Sequence, residues 1–172
     1  MQEFPFAAPA NVSLFNYVII GVVAIAGIAG VAFGGSKAKR IMTAIVIIPV
    51  MFFLVRTLLP APGGMKVTVG ETMVVSSSYG KLEIAKSDVI SAVVVGELNA
   101  DPDLRPTLRT NGTAIGEYKL GWFTLANGKK AFIMTATPEV VALELPDKYV
   151  IVAPSDFAGF VRALNERFVP VE

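Results

Sequence analysis

The 172-residue chain contains no cysteine and no histidine. Without cysteine there is no disulfide, no thiol nucleophile and no zinc site built on thiolates. Without histidine there is no imidazole base and no Ser-His-Asp arrangement. Glycine-rich phosphate loops are missing as well. Gly112, Gly116 and Gly121 have the wrong spacing, and no helix pattern follows them. Asn99-x-Asp101-x-Asp103 opens like a calcium loop, but Leu104 stands where the glycine belongs and Thr110 where the twelfth-position acid belongs. Pro102 sits between the two aspartates in a loop, a poor place to hold acid–base geometry. The sequence therefore predicts no enzyme, no cofactor and no metal.

Two long apolar runs are present, 14–35 and 41–59, separated only by Ser36-Lys37-Ala38-Lys39-Arg40. A membrane span needs about 20 apolar residues at about 1.5 Å rise each. The first run is long enough and uncharged. The second carries only Arg56, near its far end, where a long side chain can snorkel to the headgroups. Neither run contains an acidic residue, which argues against a proton relay or ion pathway. A cleaved signal peptide fits badly, because no basic segment precedes the first run and a second follows at once. The expected arrangement is a two-helix hairpin in the plasma membrane after a tail of residues 1–13.

Lys37, Lys39 and Arg40 cluster in the turn, whereas residues 1–13 hold no Lys or Arg. The positive-inside rule keeps the turn in the cytoplasm and places the C-terminal domain outside. Arg56 and Lys66 work against that orientation. Ala26, Gly30 and Gly34 recur every four residues on one face, a small-residue spacing for helix packing within the hairpin or on another membrane protein. Pro49 falls inside the second run and removes one backbone bond.

Composition changes at the linker 60–64, Pro-Ala-Pro-Gly-Gly. Residues 1–64 carry a net charge of +3 and residues 65–172 a net charge of −2. A slightly acidic domain argues against a nucleic-acid surface. Residues 65–172 are one domain in size. Short segments rich in Val, Ile, Thr and aromatics predict strands at 66–69, 72–78, 81–85, 89–96, 122–126, 130–135, 140–145 and 149–153. Tyr79-Gly80 and Asn127-Gly128 read as hairpin turns and Pro146-Asp147 as another turn. Phe157, Phe160, Val161, Leu164 and Phe168 follow a helical period, with Ser155 as the expected N-cap. Antiparallel strands closed by one amphipathic helix suit a small β-barrel.

Three stretches resemble the bacterial and archaeal pleckstrin-homology-like domain proteins, many of which carry N-terminal membrane spans. They are Lys86-Ser87-Asp88-Val89-Ile90-Ser91-Ala92-Val93, the run from Arg109-Thr110-Asn111-Gly112 through Gly116 to Gly121-Trp122-Phe123, and Tyr149-Val150-Ile151-Val152-Ala153-Pro154-Ser155-Asp156. The similarity covers roughly residues 72–168, and the middle stretch is its most specific part. The resemblance implies a seven-stranded PH-like barrel capped by a C-terminal helix, and a binding or scaffolding module.

The early strands offer only scattered Lys66, Lys81 and Lys86, interleaved with Glu71 and Glu83, so no headgroup site is expected there. Arg105, Arg109, Asn111, Lys119 and Trp122 are the candidate partner- or ligand-binding residues. They lie in or beside residues 100–120, the longest stretch without clear strand periodicity, and binding often sits on such segments. The competing reading pairs both arginines with Asp101, Asp103 or Glu117 and leaves a solvated surface. Trp122, the only tryptophan, serves packing or an interface. Asn11-Val12-Ser13 and Asn111-Gly112-Thr113 match the glycosylation pattern, which makes Asn111 and Asn11 candidate acceptors on the outer side. The functional expectation is a membrane-anchored PH-like interaction or scaffold module, an accessory subunit that meets lipid and a membrane protein or its own copy. The alternative is a tethered sensor or carrier for a small ligand or lipid.

Overall fold

A computed structural model describes residues 1–33, 35–58 and 64–172; the side chains of Asn11 and of residues 56–58 also lie outside the description. Gly34 and most of the proline-rich linker, residues 60–63, fall outside it. The chain divides into two units, one of residues 9–62 and one that joins residues 1–8 to the C-terminal part.

The first unit is a pair of helices, α1 (Ala10–Phe33) and α2 (Lys37–Leu58). At about 1.5 Å per residue each exceeds the ~30 Å hydrocarbon core of a bilayer. Both are apolar enough to cross one. Their apolar side chains point outward: Val22 is 61% exposed, Ile25 69%, Ile48 67% and Phe52 71%. The core helix of a soluble protein would hide such residues, so the pair fits a membrane hairpin.

Ser36 caps α2, with Lys39 N–H donating to its Oγ at 3.3 Å. Lys37, Lys39 and Arg40 thus lie in the first turns of α2, and not in an intervening loop as the sequence suggests. Cations at the positive end of a helix dipole are locally unfavourable. Their presence there is not explained by helix stability. α1 meets α2 through Gly27 and Gly30. A Cβ on Gly27 would lie 2.6 Å from Ile47 Cγ2, and one on Gly30 would lie 2.8 Å from Thr43 Cγ2. Ala26 is exposed. The close approach therefore runs through an i, i+3 pair one residue away from the stripe that the sequence suggests, with Gly30 common to both.

The second unit holds ten strands among the described residues, in two sheets. The first sheet is β1 (Gln2–Phe6), β2 (Met65–Val69), β3 (Thr72–Ser77) and β4 (Gly80–Ala85), in sequence order and antiparallel throughout. The second contains β5 (Ser91–Val95), β6 (Pro106–Ile115), β7 (Tyr118–Leu125), β8 (Lys130–Thr135), β9 (Val140–Glu144) and β10 (Lys148–Val152), in the order β5-β9-β10-β8-β7-β6. β10 runs parallel to β8. The sequence suggests antiparallel pairing throughout. The reason is a crossover: β9 leaves β8, passes beyond the position that β10 fills, and turns back as a hairpin at Pro146-Asp147.

No strand pairing among the described residues closes the two sheets into one barrel, and ten strands exceed the seven that the resemblance implies. The central strands of the second sheet are buried on both faces, as their unbroken apolar runs require. One face, with Phe123, Leu125, Ala131, Ile133, Ala142 and Ile151, packs under Leu98 and Leu104. The opposite face includes Tyr118, whose ring stacks on Phe6 of the first sheet at 6.1 Å. α3 (Phe157–Arg167) adds Phe160, edge-on to Phe4 at 5.5 Å. Its N-cap is Asp156, which accepts from Gly159 N–H at 3.0 Å; Ser155 is not the cap.

Candidate functional site

The stretch expected to be irregular is mostly strand. β6 covers residues 106–115 and pairs only with β7, so it forms one edge of the six-stranded sheet. Pro106, two β-bulges and Gly112 break its period of two, which is why it does not read as a strand in the sequence. Thr107 and Thr110 fill the irregular places by donating hydroxyl hydrogen bonds to the carbonyls of Thr124 and Trp122, both at 3.0 Å.

The second bulge decides how the candidate residues are distributed. Arg109 stands opposite Phe123 and Asn111 opposite Trp122. Phe123 and Trp122 are neighbours on β7 and so face opposite sides of the sheet. Arg109 and Asn111, which a regular strand would place on one face, therefore lie on opposite faces. Immediately after Asn111, Gly112 and Gly121 are register partners with φ of +150° and +125°. A Cβ on Gly121 would collide with the Asn111 carbonyl and lie 2.6 Å from Gly112 Cα. Only glycine lets the two backbones come this close.

Asn111 and Trp122 share an open cleft of about 470 Å³ with Thr110, Phe123, Lys130, Asp147 and Lys148. The Trp122 ring is edge-on to Phe132, its partner on β8, at 5.4 Å. The Lys148 ammonium is 2.9 Å from the Asp147 carboxylate, and this hydrogen bond holds the Asp147 carboxyl below its usual range. Lys130 adds an exposed cation with no ion pair among the described residues. A smaller cleft of about 270 Å³ adjoins it, lined by Leu82, Ile84, Leu145, Asp147 and Lys148. Lys130 and Lys148 carry no motif: the β7–β8 pairing places Lys130 at this cleft, and only the crossover that sets β10 beside β8 brings Lys148 to it.

Three of the expected residues stand apart from this cleft. Lys119 is drawn inward: it is 7% exposed, its ammonium donates to the Gly116 carbonyl at 3.0 Å, and burial pushes its pKa down. It is no part of a cationic surface. Arg105 and Arg109 are exposed, and neither makes an ion pair among the described residues. Two of the acids suggested as their partners are engaged elsewhere. Asp101 Oδ1 accepts from the backbone N–H of Asp103 and of Leu104, and Glu117 accepts from Asn99 Nδ2 at 2.7 Å. The Asp101 carboxylate thus caps a turn. No group of three or more metal-binding side chains occurs among the described residues.

The chemistry on offer is that of recognition: an open strand edge, unpaired cations, an aromatic floor and an amide. A family model described as a bacterial PH domain matches residues 66–168. The chain belongs to the bacterial PH domain family. PH domains are in general non-catalytic modules that mediate protein or lipid interactions. Comparison with curated proteins found no match, and comparison with solved structures found none. The PH segment begins at Lys66, so β1 and the two apolar helices lie outside it.

Proposed function

We propose that this chain is a membrane-anchored interaction subunit: α1 and α2 cross the bilayer, and the PH domain docks a protein partner of a membrane complex from the extracytoplasmic side. The observation that carries the docking role is the bare outer edge of β6. The other end of the same sheet is occupied, since Glu172 exchanges backbone hydrogen bonds with Ala92 and Val94 of β5. β6 has ten residues and no backbone partner on its outer side among the described residues. Such an edge templates an added strand, and bulges restrict which strands fit. Arg105 and Arg109 favour an acidic segment. The anchor is supported by the outward apolar faces of both helices, and the orientation by Lys37, Lys39 and Arg40 in the first turns of α2, next to the turn that follows α1.

Solubilisation of native membranes in mild detergent, followed by native sizing, tests the reading. The chain is expected to run in a complex, and Arg105→Glu with Arg109→Glu is expected to release it. A chain that runs alone with bound lipid would overturn the subunit role and favour a lipid carrier.

A further inference from the structure

β1 precedes both apolar helices and lies outside the PH match, yet it is built into the PH core. All five of its residues are in register with β2, from Gln2 opposite Val69 to Phe6 opposite Met65. Phe4 is 2% exposed and Phe6 6%. Phe4 meets Phe160 of α3, and Phe6 stacks on Tyr118 of β7. On the other edge of β1, Ser155 N–H donates to the Pro5 carbonyl at 3.0 Å. Pro5 lacks an N–H, which suits an edge position. Glu3 and Lys66 form an ion pair at 2.6 Å across the strand pair. The segment thus meets β2, β7, α3 and the turn before α3.

We infer that the PH domain carries a strand-binding slot along the edge of β2 that faces away from β3, and that its occupant is the chain's own N-terminal segment, bound in cis. The slot selects an extended segment with aromatic residues two apart. Phe4 and Phe6 share one face of a strand, and both enter the core. The cis arrangement rests on the register itself: β1 pairs with β2 of the same chain along its whole length. Resting on the membrane reading above, the clasp also requires residues 1–8 and the PH domain to share one side of the bilayer, as two spans allow and one would not.

The absence of cysteine gives a clean test. Glu3→Cys with Thr68→Cys places thiols on register partners. In membranes containing the full chain, mild oxidation is expected to give an intramolecular disulfide in most molecules. Co-expression of two differently tagged copies is expected to give no mixed dimer. Mixed dimers would overturn the cis assignment. Failure to cross-link while the chain resists alkaline extraction would overturn the clasp. A chain that cross-links but is extracted by alkali supports the clasp and overturns the membrane reading instead. As a second measurement, Phe4→Ala with Phe6→Ala in the full chain is expected to lower the melting temperature by about 10 °C or more. An unchanged melting temperature would count against the slot.

Discussion

Gly121 and Tyr118, three residues apart on β7, show how one strand carries two different constraints. Gly121→Ala sets a Cβ against the Asn111 carbonyl at a φ of +125°, and should cost about 2–4 kcal/mol. Gly96→Ala meets nothing within 4 Å and should change stability by less than about 0.5 kcal/mol. Thermal unfolding of the two variants in detergent checks the contrast. Burial pushes the Tyr118 phenol up to about 12. Between pH 10 and 12 the unfolded chain then loses this proton before the native chain does, so stability falls as pH rises. The loss approaches about 2 kcal/mol at the upper limit. Tyr118→Phe should remove that part of the alkaline slope; an unchanged slope would place its origin elsewhere. Lys119 marks the limit of reading residues singly. Beside Arg105 and Arg109 in sequence it resembles a third surface cation, but its inward path to the Gly116 carbonyl follows from the β6–β7 turn, which is hidden until β6 is known to be a strand.

At the scale of elements, legibility tracked periodicity. The strands from β2 to β5 and from β7 to β10, and the helix α3, stood out because runs of Val, Ile and Thr or an i, i+3, i+4 pattern specify them locally. β6 did not, because two bulges, Pro106 and Gly112 break its alternation. β1 did not, because it is short, contains Pro5 and finds its partners 59 to 67 residues away. The cap of α3 is Asp156, one residue after the Ser155 that the sequence suggests, and a pair of substitutions separates the two positions. Asp156→Ala should cost about 1 kcal/mol, whereas Ser155→Ala should cost little, because Ser155 contributes a backbone N–H. In the helix pair, Gly27→Ala should destabilise packing and Ile47→Ala should partly restore it, because the added methyl lies 2.6 Å from the Ile47 side chain. A double-mutant cycle on helix separation in detergent measures the coupling, and strict additivity would mean the two residues do not touch.

At the scale of the molecule, the unusual feature is where the apolar pair is inserted. In sequence it falls between β1 and β2, two strands that pair with each other in one sheet. The two apolar helices and the PH segment are both legible, from uninterrupted hydrophobicity and from the Arg109–Phe123 stretch. The joining of the N-terminus to the domain, and the parallel β8–β10 pair, are long-range facts that no local pattern encodes. The expected glycosylation site at Asn111 is exposed on β6, while the side chain of Asn11 lies outside the described residues.

In the proposed arrangement α1 and α2 cross the membrane as a hairpin, with residues 1–8 and the PH domain together on the outer side. Single cysteines in this cysteine-free chain test it directly, at Gln2→Cys, Ala38→Cys and Ser87→Cys, using a membrane-impermeant maleimide on intact cells. Gln2→Cys and Ser87→Cys should label at once, and Ala38→Cys only after the membrane is permeabilised. Labelling of Ala38→Cys on intact cells, or one common behaviour for all three positions, would contradict it.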